Sequence, residues 1–194
     1  MHANIEGSRY ATKDAPSLLL PSPTLHLRAV ALLLFLFILL QSCGNGVHYE
    51  DRDVPSVWAD MTLKLSKETP GNSPTYASRC LGYIGLTMYE CMVPDYPERR
   101  SLAGQLSQLI SLPIPDSGND YNYVLAMSAS QAKILRSVYN HTSDANKVSI
   151  DSLEMEIENY LRSSLPTEVA DRSVSFGKRM AAAIFEWSKS DGGH

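Results

Sequence analysis

Beyond residue 53 the apolar positions recur at intervals of three and four, the spacing that places side chains on one face of an α-helix. Val54, Trp58, Met61 and Leu65 form the first such stripe. Asp53 stands at its cap position with Pro55 in the first turn, and the sequence Thr69-Pro70-Gly71-Asn72 stops the helix after about Glu68. Ser73-Pro74 opens a second helix, Ser as N-cap and Pro at the first position. Its stripe is Ala77, Leu81, Ile84, Met88 and Cys91, with Gly82 and Gly85 expected to admit a neighbouring helix, and Val93-Pro94-Asp95-Tyr96-Pro97 ends it.

Between Ser101 and Asn119 the pattern weakens: Leu102, Leu106, Leu109 and Ile110 predict a short helix, broken by Pro113, Pro115 and Gly118. Asp120 is expected to cap a third long helix from Tyr121 to about Tyr139, with Leu125, Ala132, Leu135 and Tyr139 inward. A fourth runs from near Ser143 to Ser163 on Ile150, Leu153, Ile157 and Leu161. Leu165-Pro166 precedes a fifth, capped by Thr167, with Phe176, Met180, Ile184 and Trp187 buried and Asp191-Gly192-Gly193 as its end. No stretch alternates with period two. The fold class is therefore all-α, a bundle of about five helices around one core, over residues 54–194.

Residues 1–42 read differently. The run Ala29 to Leu40 is uncharged and twelve residues long, too short for a bilayer core that takes about 20. It has the length of a signal-peptide hydrophobic region and follows Arg28. The residues after it, Leu40-Gln41-Ser42-Cys43, resemble a bacterial lipobox, so Cys43 is the expected lipidation site and residues 43–53 a tether. Residues 1–28, with Pro16, Pro21 and Pro23, are long for a basic n-region, which a start codon assigned too far upstream would explain. Two or more acyl chains would hold the domain to a membrane of the bacterial cell envelope, periplasmic or surface-facing.

Composition narrows the function. With 17 Lys+Arg, 21 Asp+Glu and a net charge of −4, a nucleic-acid partner driven by bulk charge is not expected. Three cysteines exclude a disulfide scaffold. Cys80 and Cys91 lie eleven residues apart on one helix, about 16 Å of rise, so they read as small buried side chains that share neither a metal nor a bond. His48, His141 and His194 are scattered, and no metal or catalytic site is expected from the spacing. Glu154, Glu156 and Glu158 are expected on a solvated face, and Arg99-Arg100 in a solvent-facing loop.

Two segments carry a family resemblance. Ser73-Pro74-Thr75-Tyr76-Ala77-Ser78-Arg79-Cys80-Leu81, leading to Met88-Tyr89-Glu90 and preceded by Trp58, resembles the small-Pro-x-x-Ala-Arg helix of the bacterial vanadium-dependent haloperoxidases. That family is related in fold to the type-2 phosphatidic acid phosphatases. Ser173, Gly177, Ala181, Trp187-Ser188 and Asp191-Gly192 resemble its last N-terminal helix. The resemblance implies the helical N-terminal half of such a protein. It also implies that a full-length relative holds vanadate or phosphate on a Lys, an Arg-Pro, a Pro-Ser-Gly-His segment and a Ser-Arg followed by His. This chain has no Arg-Pro and no Pro-Ser-Gly-His, and Ser78-Arg79 has no His in the next ten residues. No catalytic or cofactor-binding position carries over, and no cofactor is expected in this chain. The expected partners are the membrane and either a missing C-terminal catalytic half, beyond a truncation near His194, or a second copy. The competing expectation is a self-sufficient helical lipoprotein acting as a binding or adaptor module.

Overall fold

The computed structural model describes residues 49–190, and the sequence's expectations for the apolar run, the lipobox with Cys43, and the closing Asp191-Gly192-Gly193 lie outside them. Within that range the chain forms α1 (Val54–Glu68), α2 (Pro74–Met92), a 3-10 turn (Val93–Asp95), α3 (Tyr123–Val138), α4 (Asp144–Arg162) and α5 (Thr167–Ser188). No strand occurs among the described residues. The all-α expectation is met, with the five long helices in the expected order.

The caps show where local chemistry decided the boundaries. Ser73 Oγ accepts the Tyr76 amide and Ser143 Oγ the Asn146 amide, each 3.3 Å away. A cap of this kind stabilises a helix by about 1 kcal/mol. Asp53 holds the cap position of α1 without bonding its amides; its carboxylate accepts from the Glu50 amide instead. Asp120 does not cap α3. Ser173 Oγ accepts the Asn122 amide at 2.9 Å, which ties the chain to α5 before the helix begins, and Asn122 Oδ1 then caps the Leu125 amide at 2.7 Å. Thr167 does not cap α5 either: Pro166 has extended ψ of 141°, so Thr167 is already the first helical residue.

α3 is the centre. Leu125 through Ala132 are all buried, as are Ile134, Leu135 and Val138, so this helix is covered on every side and the others wrap it. α5 makes its most extensive contact, followed by α2, α4 and α1. The polar residues on α3 are absorbed locally: Ser128 Oγ accepts from Trp58 Nε1 at 2.9 Å and Ser130 Oγ donates to Met127 O. A hydroxyl this deep is tolerated when it has a partner, as these two do.

The close helix approach falls on α5. A Cβ on Gly177 would lie 1.9 Å from Ala126 O, so only glycine lets α5 pack backbone to backbone on α3. Gly82 and Gly85, expected to admit a helix, face open space with nothing within 4 Å of a Cβ. Leu81 likewise turns outward.

The expected short helix around residues 102–110 does not form. Gln108 and Gly104 adopt left-handed φ of 62° and 78°, and Gly118 follows at 79°, which no right-handed helix accommodates. The segment is a strap laid on α2 and α5. It is held by Leu109, which is buried, and by Trp187 Nε1 donating to Ser107 O at 3.0 Å. Trp187 is consequently half-buried under the strap rather than in the core, whereas Phe176, Met180 and Ile184 are buried as expected.

Candidate functional site

Three side-chain groupings outside the apolar core bear on function. The largest is an open groove of about 470 Å³ between α2, the strap and the end of α5. Gly82 and Gly85 form its floor, Leu86, Leu102 and Leu106 its walls, and Trp187 stands edge-on to Tyr83 with centroids 5.9 Å apart. Arg79 reaches it from the start of α2 and donates through Nε to Tyr83 Oη at 3.3 Å. The groove carries one guanidinium and phenolic hydroxyls, with no carboxylate or imidazole among its lining residues to move a proton. Its lining is mostly apolar.

The second grouping is ionic and spans α3, α4 and α5. Arg136 pairs with Asp151 at 2.6 Å and with Glu154, which also faces Lys178 at 3.5 Å. Arg162 pairs with Glu158 at 2.7 Å and Asp171 at 2.8 Å. Glu154 is therefore mostly covered, contrary to the expected solvated face, because the cations of two neighbouring helices converge on it. Glu156 is exposed and accepts from Tyr49 Oη, whose pKa is pushed up to about 12 by burial and by that carboxylate. These pairs fasten helices together.

The third was not anticipated from the sequence. Glu90 sits on the buried side of α2 at 2% exposure. Ser101 Oγ donates to its Oε2 at 2.8 Å and the Leu102 amide to its Oε1 at 2.7 Å, which pins the start of the strap. Its position was readable in principle, since Cys80, Tyr83, Ile84, Thr87, Glu90 and Cys91 share one helical face. An acidic residue in such a stripe is a signal in itself.

The residues weighed for chemistry remain apart. Cys80 and Cys91 are free thiols, both buried. Burial raises the Cys80 pKa and pushes that of Cys91 up to about 12, so neither is a thiolate nucleophile at neutral pH. His141 is exposed and bonds the Pro70 carbonyl, 3.1 Å away, across the turn after α1, while His48 and His194 lie outside the described residues. Arg99 stacks on Tyr96 at 3.8 Å and Arg100 is exposed. Among the described residues no three His, Cys, Asp or Glu side chains converge on a point where a metal could sit. No helix among them is long and apolar enough to cross a membrane.

A bundle of five helices, four of them packed on one buried helix and one crossing it at a glycine, defines the fold class. No family model and no curated protein matches the chain. A solved structure does, the crystal structure of the first bacterial vanadium-dependent iodoperoxidase. It superposes with a TM-score of 0.62 at 24% identity over 72% of this chain. This chain has a haloperoxidase-like helical fold and spans 32% of the length of that enzyme.

Proposed function

We propose that these helices form the N-terminal helical layer of a membrane-anchored vanadium haloperoxidase-like or acid phosphatase-like protein, and that they hold no oxyanion site of their own. The observation that carries the reading is the likeness in fold to the iodoperoxidase over 72% of this chain, alongside 32% of that one. The resembling segments fall where a structural role is expected. Ser173 ties Asn122 to α5, Gly177 lies against Ala126, and Trp58 bonds Ser128.

A phosphate or vanadate dianion is held by several charge-assisted bonds converging on one point, each contributing about 1.5–3 kcal/mol. Here Arg136, Arg162, Lys178 and Lys189 are spent on carboxylates. Equilibrium dialysis of the full chain against millimolar vanadate is expected to show no bound anion; a saturable single site contradicts the reading.

Attachment is proposed to run through acylated Cys43, placing the domain in the bacterial cell envelope. The chain should partition with membranes and incorporate labelled acyl chains. Cys43→Ser should abolish the label; a variant that still carries it rejects the anchor.

A further inference from the structure

Glu90 is a carboxylate taken out of water without a counter-charge. Among the described residues no cationic side chain forms an ion pair with it, and its partners are one hydroxyl and one amide. Buried charges in proteins are ordinarily paired or bound to a cation, because removing a carboxylate from water is costly. Two donors leave lone pairs on both oxygens unused.

Glu90 also lines a pocket of about 280 Å³ beneath the strap. Its other walls include Val93, Pro94, Leu112, Pro113 and Met180, a largely aliphatic lining, and Ser111, which is exposed, also lines it. Pro113 and Pro115 fix the backbone φ at two positions of that wall. A carboxylate among aliphatic lining residues suits a compact positive head on a short alkyl chain.

We propose that this pocket binds an alkylammonium group, with the ammonium on the Glu90 carboxylate and the methylenes against the proline-lined wall. A compact ammonium carries three donors and suits the open lone pairs of a carboxylate already held by Ser101 and Leu102. The chemistry is shared by a free primary alkylamine and by the side chain of a lysine on another polypeptide. The inference stands on Glu90 and its pocket alone and is independent of the proposed function.

Calorimetric titration of the full chain in detergent at pH 7 with n-pentylammonium is the test. One saturable site is expected, with n-pentanol and pentanoate failing to compete. Glu90→Gln keeps the size of the side chain and removes its charge, and should weaken binding by about tenfold or more, the scale of one charge-assisted bond. Ser111→Phe, made at an exposed residue that lines the pocket, should crowd it and weaken binding by a similar factor without touching the core. If Glu90→Gln fails to fold, Ser111→Phe decides. Competition by Nα-acetyl-lysine methylamide identifies a lysine side chain as a fitting source, and its failure beside bound pentylammonium identifies a free amine. Absence of saturable binding, equal binding of n-pentanol, or affinity unchanged in the folded variants would overturn the proposal.

Discussion

Gly177→Ala is expected to destabilise the fold by about 3 kcal/mol or more, although alanine is the better helix former by about 1 kcal/mol. The added Cβ would meet Ala126 O at 1.9 Å and Ala126 C at 2.7 Å. Both are backbone atoms inside a helix, so no rotamer change relieves the clash. α5 must back away from α3, opening the most extensive helix contact in the molecule. Gly85→Ala is the control, because its Cβ meets nothing within 4 Å and the position is interior to α2. There the propensity term acts alone and should stabilise by about 0.5–1 kcal/mol. Chemical denaturation reads both, and two changes of the same sign would refute the crossing.

Trp58→Ala should cost about 3–5 kcal/mol, the range for emptying a large aromatic site. Trp58 is fully buried on α1, and its indole N–H is the donor to Ser128 Oγ at 2.9 Å. Trp58→Phe separates the two contributions. It keeps most of the packing and leaves Ser128 without that donor, so a loss of about 1–3 kcal/mol is expected. A Phe variant as stable as the parent would show that the hydrogen bond contributes nothing.

The helices were legible because their apolar stripes and their breakers are local. Ser73-Pro74 and the Ser143 cap act within one turn, and the stripe of α4 needs only its own residues. What the sequence concealed depends on partners far along the chain. Asn122 displaces Asp120 as a cap because Ser173, 51 residues away, holds its amide. The segment after Ser101 has leucines at helical spacing and still forms a strap, since Trp187, 80 residues on, takes the Ser107 carbonyl.

The same distance in sequence hid the groove and the pocket. Gly82 and Gly85 look alike to Gly177 on paper, each a small residue in a helix. Only the packing shows that Gly177 lies under a neighbour while the other two floor an open groove. Glu154 illustrates the reverse error. A run of alternate glutamates reads as solvated until cations from α3 and α5 close on its first member.

These helices carry a haloperoxidase-like fold. The proposal that they hold no oxyanion site is tested most directly by turnover. The purified full chain should hydrolyse no phosphate monoester above the buffer rate, and with vanadate, peroxide and bromide or iodide it should oxidise no halide. Turnover that falls when Arg79 or Arg99 is replaced by Gln would contradict the account and place an anion site on α2 or the loop after it.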